Sequence, residues 1–115
     1  EVMTADAYAH LDALNERILR GCQAVVDTHS LDAYPVGIGS KGCVTFSPVK
    51  VTDYEVFKDN QDEELSELAW LFNANRGVFM TPGREEEWTL SVAHDDAAVD
   101  RYVEVFRELA GELTA

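Results

Sequence analysis

The chain has 115 residues, 46% of them hydrophobic and 27% charged, and its 22 acidic against 9 basic residues give a net charge of −13. This length predicts one domain, and the composition is that of a globular protein rather than a disordered one. The acidic surface would repel phosphates, so nucleic-acid binding is disfavoured, and no apolar run approaches the roughly 18 residues of a membrane span. Cys22 and Cys43 lie far apart on apolar-patterned positions, which predicts buried thiols and favours a cytoplasmic protein.

The helices are predicted from apolar residues at intervals of three and four. The first is expected from about Ala5 to Thr28, and a helical turn is expected around Tyr54 to Lys58. A second long helix should begin after an N-cap at Asp62 and stop at Gly77, with an apolar face of Leu65, Leu68, Ala69 and Phe72. The last should be capped by Asp95 or Asp96, with a stripe of Val99, Tyr102, Val103, Phe106, Leu109, Ala110 and Leu113.

The strands are predicted between these helices. The stretch from Val36 to Ser47 favours β structure, and "VFMTP" and "EWTLSVAH" read as two further short strands, with Trp88, Leu90 and Val92 on one side. The order is therefore helix, two strands, helix, strand, strand, helix. It predicts an α+β fold in which a small, mostly antiparallel sheet of three to four strands has helices packed on one face.

Three glycines, Gly37, Gly39 and Gly42, spell G-x-G-x-x-G within "YPVGIGSKGCVTFS". In a dinucleotide-binding fold the third glycine opens a helix, whose free N–H groups meet the pyrophosphate. Here it is followed by the strand-like "CVTFS". A turn or bulge between two strands explains the glycines equally well, so nucleotide binding is disfavoured.

Other chemistry-bearing residues are sparse. The histidines have no metal-ligand spacing, and "HDD" at 94–96 is better explained as a helix cap. None of Lys41, Lys50 and Lys58 lies in an apolar stretch that would indicate a desolvated Schiff-base amine. The charged turn "GREEEW" is either an exposed loop or a place where a carboxylate and a guanidinium meet a cleft.

The motifs from "VTDYEVFK" onward carry a family resemblance. The run Arg76–Pro82, then Glu86, then Ser91–His94 and the acidic helix start resemble an R-G-V-[YF]-[LM]-[AT]-P strand, a Glu-bearing turn and a strand ending in S-[LV]-[AS]-H. Those features belong to the C-terminal small domain of class III, fold-type I aminotransferases that depend on pyridoxal phosphate, nearest the glutamate-1-semialdehyde aminomutases. The stretch "VGIGSKGCVTFS" resembles the family's strand pair, which again assigns the glycines to a strand-to-strand passage.

The resemblance implies that residues 1–115 are the small C-terminal domain of a longer cytoplasmic enzyme, and the absence of an initiator Met agrees with that expectation. It implies a catalytic Glu86, which aligns with the family's active-site Glu near the cofactor and substrate amine. Arg84 is a candidate for binding a substrate carboxylate, as an arginine of this domain does in many aminotransferases, although its position does not match theirs. The family's S-Q-F-E turn is Gly83-Arg84-Glu85-Glu86 here, so the substrate is expected to differ.

The partners implied are the chain's own large cofactor-binding domain, a second copy in a homodimer and a small amino-acid or amine substrate. Pyridoxal phosphate would belong to the intact enzyme. No cofactor or metal site is expected in the fragment, which should not catalyse transamination alone. The parent could be a mutase or a transaminase, and the altered turn favours the latter somewhat. The alternative from another class is a free-standing acidic α+β binding module for a basic protein partner.

Overall fold

The computed structural model describes residues 3–83 and 86–115. In chain order its elements are α1 (Ala5–His29), β1 (Tyr34–Ile38), β2 (Lys41–Thr45), α2 (Tyr54–Asn60), α3 (Glu63–Asn75), β3 (Trp88–Thr89) and α4 (Asp96–Leu113). The sheet is antiparallel, in the order β1-β2-β3. The α+β fold with a small antiparallel sheet is confirmed. Among the described residues, no helix is long and apolar enough to cross a membrane.

The core lies where α1 meets the sheet and α4. Leu14, Ile18 and Cys22 of α1 are almost completely buried, and their spacing of four places them on one face of the helix. Each fully buried aliphatic side chain of this size contributes about 1.5–3 kcal/mol. The α4 stripe is confirmed except at its end, where Leu113 is exposed. The predicted caps are also confirmed, because the side chains of Asp62 and Asp95 accept hydrogen bonds from Leu65 N and Ala98 N.

The three glycines form a β-hairpin. Gly37 and Gly42 face each other across β1 and β2, and Gly39, at φ +59°, occupies the tight turn. A Cβ at Gly42 would lie 2.6 Å from Cε2 of Trp88 and 2.8 Å from the carbonyl oxygen of Val36. Only glycine fits there, so the motif serves chain packing, as the sequence favoured.

The Trp88 ring that covers Gly42 is fixed by a buried polar contact. Its Nε1 donates to Oδ1 of Asn15 at 2.8 Å, and Nδ2 of Asn15 donates to the carbonyl oxygen of Lys41 at 3.2 Å. α1, β2 and β3 are therefore joined at one point by hydrogen bonds as well as by apolar packing.

Two predicted strands differ from the structure. Residues 78–82 are not a strand. Nε1 of Trp70 donates a hydrogen bond to the Met80 carbonyl oxygen at 2.9 Å, so this carbonyl is bonded to a side chain and not to a neighbouring strand. The second predicted strand is reduced to Trp88–Thr89. Its pairing ends because Ser91 N donates to Nδ1 of His94 at 2.9 Å within a turn, and Val92 is consequently exposed.

The predicted apolar face of α3 is only partly correct. Ala69 is buried and Leu65 and Phe72 pack against the core, but Leu68 is 47% exposed. The inward face contains Ser66 and Asn73 instead, at 2% and 4% exposure. Leu68 therefore points away from this chain's core.

Candidate functional site

The turn after Pro82 places Glu86 under the surface. Glu86 is 4% exposed, and its Oε1 accepts a hydrogen bond from Nδ2 of Asn73 at 2.6 Å. Glu86 lies two residues before Trp88, whose attachment to Asn15 and the hairpin fixes this end of the turn. Asn73 lies in the last turn of α3. The two side chains are thus brought together from opposite ends of the 76–85 segment.

Burial dominates the electrostatics of Glu86. Loss of hydration raises the pKa of this carboxyl from 4.5 to about 7, although the hydrogen bond from Asn73 acts in the opposite direction. Burial also raises the pKa of the neighbouring Tyr102 phenol, and the charge of Glu86 adds to that shift. A carboxyl with a pKa near neutrality can both hold and release a proton under physiological conditions, which is what general acid–base chemistry requires.

The neighbouring Glu87 is arranged differently. Glu87 faces Lys41 on β2, with the Glu87 Oε2 to Lys41 Nζ distance at 3.6 Å and both side chains partly exposed. This pair is a surface ion pair and contributes little to the stability of the fold. Arg84 lies outside the described residues, so its expected role in substrate binding stays a prediction.

A groove of about 390 Å³ runs beside the turn, between residues 77–81 and the first half of α4. Trp88 and Tyr102, whose ring centroids are 5.4 Å apart, both line it, and Phe79 at 83% exposure stands at its side. Glu86 is not among its lining residues. The carboxyl is therefore directed toward Asn73 and not into this groove.

The described residues do not supply a lysine suited to hold pyridoxal phosphate. Lys41, Lys50 and Lys58 are all exposed, on β2, in the following loop and on α2, so none is enclosed in the apolar surroundings typical of a Schiff-base lysine. The described residues also contain no group of three or more His, Cys, Asp or Glu side chains that could hold a metal ion.

Asn73 is the site residue that sequence reasoning missed. It lies four positions after Ala69 and so belongs to the buried side of α3, where the helical period calls for an apolar residue. A polar side chain at such a position needs a buried partner. A polar residue at an inward position of α3 could therefore have identified Asn73 from the sequence. Its partner Glu86 is 13 positions away, and the pattern does not indicate which residue that partner is.

Comparison with known proteins adds a consistent set of relatives. The chain is 30% identical over 110 residues to the glutamate-1-semialdehyde 2,1-aminomutase of Aquifex aeolicus, which covers 94% of this chain and 25% of that protein. It is 31% identical over 103 residues to the enzyme of the same name from Desulforudis audaxviator, covering 88% of this chain and 23% of that protein. The chain thus spans about a quarter of the length of these relatives. It matches no protein-family model.

Comparison with solved structures finds the same group of enzymes. A glutamate-1-semialdehyde aminomutase from Pseudomonas aeruginosa, crystallised in complex with PMP, superposes with a TM-score of 0.90 and 25% identity, over 98% of this chain and 25% of that one. An omega-transaminase from Sphaerobacter thermophilus shares the fold, with a TM-score of 0.79 and 15% identity over 97% of this chain and 25% of that one. The chain is therefore a homologue of a C-terminal part of the glutamate-1-semialdehyde 2,1-aminomutases, on a fold that it shares with transaminases.

Proposed function

We propose that residues 1–115 form the C-terminal domain of a pyridoxal-phosphate-dependent enzyme that moves an amino group, either an aminomutase or an aminotransferase. The observation that carries this proposal is the similarity in both sequence and fold, over nearly the whole chain, to about a quarter of much longer enzymes. A free-standing binding module is not favoured, because the relatives are enzymes of which this chain matches only a part.

In this proposal the cofactor is held by the remainder of the enzyme. The three lysines of the chain are exposed, whereas the similar Pseudomonas enzyme was crystallised with PMP. Bound pyridoxal phosphate would supply an electron sink for the amino transfer. The C-terminal domain would close one wall of the cleft. The family resemblance further supports a cytoplasmic homodimer.

The chain's own contribution would come from the Glu86 turn. Glu86 is proposed as a carboxyl that holds or releases a proton near the substrate amine, supported by its burial and its pKa of about 7. Arg84 is proposed to bind a substrate carboxylate, which suits a small amino-acid substrate. The Gly83-Arg84-Glu85 sequence before Glu86 departs from the family turn and favours a transaminase with its own substrate as the second candidate.

An apolar surface beside this turn is proposed to pack against the rest of the polypeptide. Leu68 and Leu71, three residues apart on α3, are 47% and 53% exposed, and Leu71 lines a depression together with Pro82 and Gly83. These side chains form the α3–turn surface. Because the homologous enzymes are about four times as long as this chain, most of the polypeptide would be available to cover it.

The test uses the intact protein. A bound pyridoxal phosphate chromophore should appear in its absorbance spectrum. Conversion of glutamate-1-semialdehyde without an amino acceptor would identify a mutase. Activity that instead requires an amino donor and a keto-acid acceptor would identify a transaminase. An intact protein that binds no pyridoxal phosphate under saturating conditions would refute the proposal.

A further inference from the structure

The end of α3 holds Asn73 in a fixed position. Its carbonyl oxygen accepts hydrogen bonds from Arg76 N at 3.0 Å and Val78 N at 2.9 Å, where the chain turns at Gly77. The side chain of Phe72, next to it, is covered by the Arg76 guanidinium, 3.3 Å from the ring centroid. The backbone that carries the Asn73 amide is therefore anchored on both sides of the helix end.

The Asn73 amide donates a hydrogen bond to the Glu86 carboxyl. Both residues are 4% exposed, and the Nδ2 to Oε1 distance is 2.6 Å. A leucine of similar size at this inward position would have stabilised the core without needing a partner, whereas a buried carboxyl without a donor is costly. The presence of a polar residue at position 73 is therefore explained by its hydrogen bond to Glu86 and not by the packing of α3.

We propose that Asn73 is a positioning residue, whose amide holds Oε1 of Glu86 against the end of α3 and thereby leaves Oε2 as the atom that carries the exchangeable proton. The inference rests on the proposed role of Glu86. An N–H donor occupies a lone pair of Oε1 in both charge states of the carboxyl, so the proton of the neutral form resides on the other oxygen. The orientation of the acid is then the same before and after it gives up its proton.

The ionisable groups around the pair come from α4, the turn and β2. Tyr102 of α4 is close enough for its phenol to respond to the charge of Glu86. Glu87, in the same turn, is directed to Lys41 of β2. The C-terminal end of α3 itself disfavours negative charge. The hydrogen bond from the Asn73 amide lowers the pKa of Glu86 and so opposes the effect of burial.

The experiment compares pH–rate profiles of four forms of the intact enzyme: wild type, Glu86→Gln, Asn73→Leu and Asn75→Leu. Asn75 is the matched control because it is the same residue type, two positions away and exposed. Glu86→Gln identifies the inflection that belongs to Glu86. Asn73→Leu should move that inflection upward by about one pH unit, because it removes a hydrogen bond that stabilises the charged form of Glu86. Asn75→Leu should leave it in place.

The outcomes separate the two proposals. If Glu86→Gln keeps every inflection, the role of Glu86 fails. If Glu86→Gln removes one but Asn73→Leu does not move it, the Asn73 inference alone is wrong. A readout independent of activity is the pH dependence of thermal unfolding, in which the stability change due to Glu86 should extend to higher pH in Asn73→Leu. Asn73→Ser, which keeps a small polar side chain, replaces it if the leucine variant does not fold, and no shift in either measurement would overturn the inference.

Discussion

The hairpin of β1 and β2 and the segment from Arg76 to Thr89 contrast in what their sequences reveal. The hairpin contains the pattern that looks most like a ligand site, yet Gly37 and Gly42 face each other and Gly42 leaves room for Trp88. The segment looks like two ordinary strands and a charged loop, yet it buries a carboxyl whose pKa is about 7. The apparent motif serves packing, and the inconspicuous segment contains the titratable group.

The reason for this contrast is the range of the interactions. A glycine pattern reports that the backbone must turn or approach another group closely, but not what approaches it. The charge state of a glutamate depends on what surrounds it in three dimensions. Motif spacing is therefore weaker evidence for a site than a polar residue found on the inward face of a helix.

The largest expected effect comes from filling the space at Gly42. Gly42→Ala should lower the free energy of unfolding by about 3 kcal/mol, the upper part of the range for overpacking, because the new methyl overlaps Trp88 and the backbone at Val36. Chemical denaturation of the intact protein measures it. Gly111→Ala is the control: nothing lies within 4 Å of that position in α4, so the change should be neutral or slightly stabilising. Equal effects of both substitutions would contradict the packing explanation of the glycines.

A somewhat smaller effect should follow the charge of Glu86. Its folded-state pKa of about 7 lies above the ordinary 4.5, so between these values the folded state binds more protons than the unfolded state. Stability should therefore fall as the pH rises from 5 to 8, by about 2 kcal/mol from this group. Glu86→Gln should remove that part of the pH dependence and be relatively more stable at pH 8. A wild-type and a Gln variant with parallel stability curves would show that Glu86 is not buried as described.

The smallest of the three effects concerns a locally determined feature. Asp95→Ala should cost about 1 kcal/mol, the usual value of an N-cap, because the Asp95 side chain accepts from Ala98 N at 2.9 Å. Asp96→Ala is the matched control, since that carboxylate lies in the first turn and makes only a partly exposed ion pair with Arg17 at 3.4 Å. In thermal unfolding, the Asp95 variant should have a clearly lower midpoint temperature than the Asp96 variant. The reverse order would show that Asp95 is not the residue that caps α4.

The candidate site was only half predictable. The position of Glu86 was inferred through its resemblance to a family turn, and the structure adds its burial and its partner. Asn73 could not be paired with it in advance, because the two residues are 13 positions apart. The segment between them contains the end of α3 and a stretch, 78–82, that resembles a strand but does not join the sheet. Propensity favoured a strand there, and the hydrogen bond from Trp70 to the Met80 carbonyl decided otherwise.

By itself, the sequence determined the three long helices, a helical turn where α2 forms, two N-caps, the hairpin and the α+β class, because periodicity, capping and turn chemistry act between residues a few positions apart. Only the tertiary structure decided that Leu68 faces outward, that β3 is two residues long and that Asn73 meets Glu86. These outcomes depend on which surfaces α1, α3, α4 and the sheet present to one another, and burial, with the pKa it imposes, exists only after that packing has formed.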